Sequence, residues 1–540
     1  MLRLTDIKLP LDHSADALTQ KVISRLGLQV NELVGMTVFK RSYDARKSNS
    51  ILLIYSVDIE LTAKAEQRCL HQFSGKGWVK PSPDMSYKLV ASVQADFPQA
   101  GQQRPVIIGF GPCGILAALL LAQMGLKPIV IERGQNVRQR TKDTWGLWRD
   151  RVLNQESNVQ YGEGGAGTFS DGKLYTQIKD PMFYGRKVLT EFVKAGAPEE
   201  ILYVSKPHIG TFKLVKMMEK IRADIIALGG EIRFGKKLAH LNIEDDQVEG
   251  LTLSSGEVIK TKHVILAIGH SARDTFQSLL DSGVYIEAKP FSIGLRIEHP
   301  QPVIDKARFG VNAGNEILGA ADYKLVHHCK DGRNVYSFCM CPGGTVVAAA
   351  SEPGMLVVNG MSEYSRNERN ANSAIVVDIN PEKDYPQHPL AGIDLQRQLE
   401  EKAYQMGGEN YNAPVQLVGD FLAGKASVAI GTVQPSYKPG FTLTDLSLLL
   451  PDFAVKALRE AIPEFNKQIK GFSMNDAVLT GIETRTSSPV CIKRDKHSLV
   501  GINTKGLYPA GEGAGYAGGI LSAGVDGVKV AEAVAKALLS

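Results

Sequence analysis

Between residues 105 and 132, apolar positions form two short continuous runs, at 106–108 and 129–131, on either side of a longer apolar segment at 115–124. Continuous apolar runs are typical of strands covered on both faces, and the longer segment predicts a helix. Glycines in the spacing G-x-G-x-x-G separate the first strand from this helix. The pattern therefore predicts a parallel strand–helix–strand unit, the beginning of an α/β fold.

The glycine turn and the acid after the second strand together predict a dinucleotide site. Gly109 allows a sharp turn, Gly111 lets a pyrophosphate approach the backbone, and Gly114 lets the helix pack close to the strand. Pro112 stands at the start of the helix, whose free N–H groups favour phosphate. Glu132 follows Gly109 by roughly 20 residues, the spacing expected for an acid that binds an adenosine ribose. A merely structural turn is the alternative, which the coincidence of these features disfavours.

The first 92 residues predict a separate small domain. Strand patterns occur at 2–9, 35–43, 50–59 and 87–93, and helical patterns at 15–26 and 62–73. This βαββαβ order predicts a ferredoxin-like sandwich, followed by a polar linker at 93–104. The central hairpin carries Lys40, Arg41, Arg46 and Lys47. Because no aromatic pair for base stacking accompanies them, we expect a solvated loop rather than a nucleic-acid contact.

The rest of the chain predicts one dinucleotide-binding domain interrupted by a second unit. Residues 105–290 supply its first part, and residues 473–540, with a strand, a glycine loop and an amphipathic helix, supply its last. Residues 291–472 show a mixed α+β pattern without a nucleotide fingerprint and predict an inserted substrate, or cap, domain. The expected fold class is α/β: a Rossmann-like domain with an inserted α+β cap domain and the small N-terminal domain.

Composition and charge narrow the function classes modestly. The net charge of +5, with 22% charged residues, does not point to nucleic acid. Six cysteines in 540 residues are too few for a disulfide scaffold, which favours a reducing compartment. No segment is typical of a signal peptide or a membrane span, so a cytoplasmic location is the default expectation.

Three separated motifs resemble FAD-dependent oxidoreductases of the glutathione-reductase type. They are the glycine turn with Glu132, the strand VILAIG at 264–269, and the segment YPAGEG at 508–513 followed by Gly518 and Gly519. Ile268 replaces the usual Thr of the second motif, and Glu512 stands where Asp is commoner. Longer strings resemble a family described as uncharacterised FAD-dependent dehydrogenases: GEGGAGTFSDGKL at 162–174, CMCPGG at 339–344, NANS at 370–373 and GIETRTSSP at 481–489. This likeness covers nearly the whole chain and implies a flavoprotein without implying a substrate.

The resemblance implies non-covalent FAD, since no attachment motif is recognisable. A helix N-terminus near Gly518 would place its positive end at the flavin N1–O2 edge. No second G-x-G-x-x-G follows a strand, so a dedicated NAD(P) domain is not expected, although NAD(P)H stays possible as a transient reductant. The expected cofactor-binding residues are Gly109, Gly111, Pro112, Gly114, Glu132, Arg133, Gly165, Gly167, Thr168, Ser170, Asp171, Lys173, Leu238, Ala267, Gly269, Gly511, Glu512, Gly518, Gly519 and Ile520.

Residues 324–341 predict a hairpin with a two-residue turn at 331–332. Val335 would then oppose His328, and the two His and three Cys of the segment would lie too far apart for a compact metal site, so no metal is expected. Cys339 and Cys341 would share the less apolar face and could line a cleft. A redox or substrate-contacting role is one hypothesis for these thiols, and two small buried residues is the alternative.

Arg485, in the hydroxyl-rich run 484–489, is the third candidate catalytic residue beside Cys339 and Cys341. Its guanidinium could clamp a substrate carboxylate or phosphate or touch the flavin, and a structural salt bridge is an equally good interpretation. His270, directly after Gly269, is expected near the nucleotide, and no proton-transfer role is assigned to it.

The sequence thus predicts an FAD-dependent oxidoreductase, a dehydrogenase or reductase. Its flavin would accept a hydride or electron pair from a small organic substrate in a cleft between the FAD and cap domains. The alternatives are a flavin monooxygenase and an FAD-holding RNA-binding or assembly factor whose N-terminal domain docks a partner. Substrate, electron acceptor and oligomeric state are not predicted.

Overall fold

The computed structural model describes residues 1–93, 96–385 and 388–539. Residues 94–95 of the predicted linker and residue 540 of the last predicted segment therefore lie outside the described residues. Among the helices of these three ranges, none is both long and apolar enough to cross a membrane.

The N-terminal unit is a four-stranded antiparallel sheet covered by two helices. Apolar residues such as Leu4, Val22 and Val57 fill the space between sheet and helices. The strands lie in the order β2-β3-β1-β4. The elements are β1 Leu2–Pro10, α1 Ala17–Leu26, β2 Leu33–Asp44, β3 Leu52–Leu61, α2 Ala63–Gln72 and β4 Val79–Pro81.

The predicted strand at 87–93 is wrong, and β4 completes the sheet beside β1. Tyr87 and Val93 pack instead against the apolar core of the next unit. The Val93 N–H donates to the Met124 carbonyl, and the Tyr87 hydroxyl donates to Glu532 over 2.8 Å. The apolar pattern of this segment therefore reflects a contact between units rather than a place in a sheet.

The hairpin between β2 and β3 is docked on the rest of the chain. Ile51 belongs to the large apolar core of the following units, and Tyr43 meets the ring of Phe309 edge-on. Backbone hydrogen bonds join Arg41 to the segment at 203–205, over 2.7 and 2.9 Å. The expectation of a solvated loop fits Arg46, whose side chain is 87% exposed, but it does not fit Arg41.

A five-stranded parallel sheet, in the order β22-β11-β5-β6-β7, forms the centre of the second unit. The strands β22, β11, β5 and β6 are buried, because α3 and α13 cover one face of the sheet and a three-stranded antiparallel sheet, β10-β9-β8, covers the other. The edge strand β7 is only half-buried. The elements before residue 291 are β5 Val106–Ile108, α3 Pro112–Gln123, β6 Ile129–Ile131, α4 Val137–Trp145, α5 Tyr184–Lys194, α6 Thr211–Ala227, β7 Glu231–Arg233, β8 Leu238–Glu244, β9 Gln247–Leu253, β10 Val258–Lys260, β11 Val264–Leu266, α7 Arg273–Asp281 and β12 Ile286–Ala288.

The third unit is a large sheet in the order β14-β15-β17-β13-β20-β18-β19, with β16 paired to β15. Strand β20, which lies beyond residue 472, pairs with β13 and β18 inside this sheet. The remaining elements are β13 Phe291–Pro300, α8 Gln301–Phe309, β14 Val326–His328, β15 Asn334–Ala348, β16 Val358–Ser362, β17 Asn370–Ile379, α9 Pro381–Asp384, α10 Ala391–Gly407, β18 Ala413–Leu417, α11 Val418–Ala423, β19 Phe441–Leu443, α12 Asp452–Gln468, β20 Val478–Glu483, β21 Val490–Ile492, β22 Leu507–Pro509 and α13 Ile520–Leu539.

The hairpin of β14 and β15 forms, but its register differs by one residue from the prediction. His328 pairs with Asn334 rather than with Val335. The backbone N–H of Cys329 donates to the Arg333 carbonyl over 2.8 Å. This bond leaves a three-residue loop, which ends at Gly332 with a φ of +85°. The extra loop residue moves every cross-strand partner by one position.

Candidate cofactor and active site

A cavity of about 830 Å³ connects the parallel sheet with the large sheet of the third unit. It begins where β5, β6, β11 and β22 end and reaches strand β15. The carboxyl ends of parallel strands are where open α/β sheets bind ligands, and the volume is in the range of small-molecule and cofactor sites.

The glycine turn forms the start of this cavity. Gly109 has a φ of +97°, and a Cβ there would lie 2.3 Å from the Ala267 carbonyl oxygen. A Cβ on Gly114 would lie 2.0 Å from the Gly109 carbonyl oxygen, so this glycine allows α3 to approach the turn. Gly111 precedes α3 without a side-chain cap, so the N–H groups of the first turn are left for a ligand.

The Glu132 carboxylate lies in the cavity wall at the end of β6. It accepts hydrogen bonds from the backbone N–H groups of Phe110, Gly134 and Gly162, over 2.8, 2.8 and 2.9 Å. Each carboxylate oxygen has two acceptor positions, so one on Oε2 remains for a further hydrogen-bond donor. Backbone donors therefore fix the orientation of this acid before any ligand is bound.

Most of the predicted cofactor-binding residues border this cavity. Gly114 and Thr168 do not: Gly114 packs against Gly109, and Thr168 bonds with the buried Arg140 side chain over 3.3 Å. Those that do are Gly109, Gly111, Pro112, Glu132, Arg133, Gly165, Gly167, Ser170, Asp171, Lys173, Leu238, Ala267, Gly269, Gly511, Glu512, Gly518, Gly519 and Ile520.

The C-terminal glycine loop supplies the opposite wall. A Cβ on Gly518 or Gly519 would meet no atom within 4 Å, so these residues border open space. The Gly511 N–H donates to Asp526 over 2.8 Å, and Arg494 pairs with the same carboxylate over 2.6 Å. The sequence-based prediction missed Asp526, a buried carboxylate in helix α13.

His270 pairs with Glu512 across the cavity wall. The two residues meet over 2.6 Å through Nδ1 of the imidazole. The other ring nitrogen, Nε2, is buried and has no hydrogen-bond partner among the described residues. Since a buried polar atom normally has a partner, this atom is suited to a ligand in the cavity.

At the end nearest the large sheet of the third unit, the cavity meets a buried ionisable cluster centred on Arg296. This fully buried side chain donates to Glu483 over 2.8 Å and to the Cys339 carbonyl over 2.6 Å. Burial raises the pKa of Glu483 to about 7, although the Arg296 charge opposes this shift. The sequence-based prediction missed both residues. The available signal was a charged residue inside each of two apolar strands, and these strands, β13 and β20, are neighbours in the sheet.

The two candidate thiols occupy different places. Cys339 lines the cavity, whereas Cys341 is completely buried and does not. Cys339 has a φ of +43°, and the pairing of β15 with β17 is interrupted between Phe338 and Cys341. The predicted simple alternation, with both thiols on one open face, is therefore wrong, because the strand is bulged at this point.

Lys173 brings a second positive charge to this end. Its Nζ lies 2.9 Å from Asp171, which also accepts from Arg366 over 2.9 Å. Burial acts to lower the pKa of Lys173, but the Asp171 carboxylate raises it above its ordinary value. A side-chain hydrogen bond with Cys341 and the charges of Lys173 and Arg296 lower the pKa of Cys339 well below its ordinary value, against the effect of burial.

Arg485 borders the cavity, but four of the five N–H groups of its guanidinium already have acceptors. Its Nε and Nη2 donate to Glu400 over 3.0 and 2.8 Å, and its Nη1 donates to Ser271 and Ser351. This geometry corresponds to the structural salt bridge, so the substrate-clamp interpretation of Arg485 is not supported.

A His–Cys–Glu group lies away from the cavity, between β14 and α12. His327, Cys329 and Glu460 bring one ligand atom each to within 4.8 Å of one another. The third residue, Glu460, comes from α12, which lies outside the predicted hairpin. His327 forms a hydrogen bond with Glu460 over 3.1 Å, and the Cys329 thiol contacts the Ala457 carbonyl oxygen over 3.8 Å. Each of the three side chains therefore already has a partner within the protein.

Solved structures similar to this chain include flavoproteins. The flavin-dependent brominase Bmp2 is 13% identical with a TM-score of 0.36, over 81% of this chain and 80% of that one. Glycine oxidase from Bacillus cereus is 11% identical with a TM-score of 0.34, over 81% and 95%. Similarity this low says nothing about activity.

Family models and relatives match more directly. Residues 290–486 match a family described as "FAD-dependent protein, C-terminal domain-like", and residues 1–60 match a domain of unknown function. An uncharacterized protein of Clostridium beijerinckii is 48% identical over 534 residues, which is 98% of each chain. The chain therefore belongs to the same family as this Clostridium protein.

Proposed function

We propose that the protein is an FAD-dependent oxidoreductase that holds FAD non-covalently. The main observation behind this proposal is a single cavity that has the glycine turn, which is suited to binding phosphate, at one end. The Arg296 cluster, with Glu483 and Cys339, lies at the other end. The match of residues 290–486 to an FAD-dependent family supports the choice of cofactor. A small organic substrate would lie at the cluster end.

The residues of the cavity fit this cofactor. The N-terminus of α3 would bind the pyrophosphate, Glu132 a ribose hydroxyl, and the open backbone at Gly518 and Gly519 would admit the ribityl and flavin end. Bound FAD supplies two-electron chemistry. Glu483, with a pKa of about 7, can hold or release a proton near neutral pH, and the free Nε2 of His270 can bond to cofactor or substrate.

We also propose the domain roles. Residues 1–81 have the strand order of a ferredoxin-like sandwich, and residues 291–483 would be the cap that covers the substrate. The backbone contact of Arg41 with the segment at 203–205 supports an intramolecular role for the N-terminal unit over an RNA-binding or assembly role. NAD(P)H is proposed only as a transient reductant.

The test is the visible spectrum of the purified protein before and after addition of FAD. A flavin spectrum followed by anaerobic bleaching with one class of metabolite, or with NAD(P)H, is the expected result. Protein that stays colourless after FAD is added would overturn the proposal. Rapid NAD(P)H oxidation coupled to hydroxylation of a substrate would indicate a flavin monooxygenase instead.

A further inference from the structure

Cys339 and Cys341 are arranged as an accessible thiol with a second thiol directly behind it. The left-handed backbone at Cys339 interrupts the strand and directs this residue to the cavity. The Cys341 thiol folds back to 3.3 Å from the Cys339 carbonyl oxygen. A residue other than glycine in the left-handed region is strained, and such strain is concentrated at functional sites.

Two cations lie beside this pair and favour a thiolate. Arg296 approaches the Cys341 sulfur to 3.8 Å and the Cys339 carbonyl to 2.6 Å, and the Lys173 charge acts on both sulfurs. Cys113 also lines the cavity, at the glycine turn, but burial raises its pKa well above the ordinary value. The same cavity thus holds an activated thiol at one end and an inert one at the other.

We propose that Cys339 and Cys341 form a dithiol–disulfide couple that exchanges with a low-molecular-weight disulfide. The Cys339 thiolate would attack one sulfur of the disulfide and release the first thiolate. The Cys341 thiol would then give its proton to the released thiolate and attack the Cys339 sulfur, which forms the Cys339–Cys341 bond and releases the second thiolate. In sum, two protein thiols are oxidised and one small disulfide is reduced to two thiols.

The couple rests on the proposed function only for the return of its electron pair, which bound FAD would supply. The exchange half-reaction itself needs no flavin. Its failure is therefore distinguishable from a failure of FAD binding, which the visible spectrum reports separately.

The test is native alkylation with iodoacetamide, followed by peptide mass spectrometry, on the full-length protein. We expect Cys339 to be alkylated much faster than Cys113, and Lys173→Met to slow it by about tenfold or more, because a neighbouring charge is lost. Lys173→Arg keeps the charge and should keep the rate. Equal alkylation rates at Cys339 and Cys113 in protein without flavin would contradict the proposal that Cys339 is an activated thiol.

The second arm is treatment with glutathione disulfide. The expected product is an internal disulfide in the peptide that contains both thiols, and Cys341→Ser should yield a mixed disulfide with glutathione at Cys339 instead. A mixed disulfide that persists in the wild-type protein, or no reaction at all, would overturn the couple. Because the wild type itself is informative, a variant that fails to fold does not block the test.

Discussion

Glu483 makes the stability of the protein depend on pH at a single residue. Its pKa is raised from 4.5 to about 7 in the folded protein, so the folded state binds this proton more tightly than the unfolded state. The resulting stability is complete below about pH 4.5 and is lost as the pH rises through 7, by roughly 3 kcal/mol. In Glu483→Gln this component is missing, so the melting temperature of the wild type should fall relative to the variant between pH 5 and pH 8. Thermal melts of both proteins, with the exposed Glu199→Gln as control, check this, and parallel pH curves would contradict it.

Two glycines of the cavity region differ in what an added methyl group would meet. Gly114→Ala places a Cβ 2.0 Å from the Gly109 carbonyl oxygen, so we expect it to lower the stability of the apoprotein by about 1–3 kcal/mol. Gly518→Ala meets no protein atom within 4 Å and should leave that stability unchanged, but it should weaken FAD binding by about tenfold. Apoprotein melts and flavin titrations separate the two effects. A Gly518→Ala protein with normal FAD affinity would show that the flavin does not approach this loop.

At the scale of elements, a buried ion network joins α7, α10 and the segment after β20. Glu400 is completely buried and pairs with Arg273 over 2.7 Å and with Arg485 over 2.8 Å. Glu400→Gln leaves the buried Arg485 guanidinium without a charge partner and leaves Arg273 paired with Glu352 alone, which should lower the free energy of unfolding by about 3–5 kcal/mol. The neighbouring exposed residue provides a matched control, since Glu401→Gln should change it by less than about 0.5 kcal/mol. Denaturant unfolding of both variants measures this, and equal midpoints would contradict a structural role for the network.

The sequence predicts elements well where the pattern is local and poorly where partners are distant. The strand–turn–helix around Gly109 follows from local apolar runs and glycines, and most of the predicted cofactor-binding residues do border the cavity. The predicted register of the β14–β15 hairpin is wrong by one residue, because the loop length is set by the backbone pairing of Cys329 with Arg333. Glu483 and Arg296 were missed because nothing local indicates that β13 and β20 lie side by side.

At the scale of the whole molecule, the N-terminal unit is joined to the large core by the hairpin between β2 and β3. Ile51 is 4% exposed and lies in that large core, although the sheet of the N-terminal unit packs on a separate apolar core of its own. Ile51→Ala should therefore weaken the junction by about 2–4 kcal/mol without disturbing the N-terminal core. Hydrogen exchange should increase in the hairpin and around Phe309, which Tyr43 contacts, and not around Val57 in the separate core. Val30→Ala in the same unit, at a side chain that is 78% exposed, is the control. Exchange that is unchanged around Phe309 in Ile51→Ala would mean that the two units are held together elsewhere.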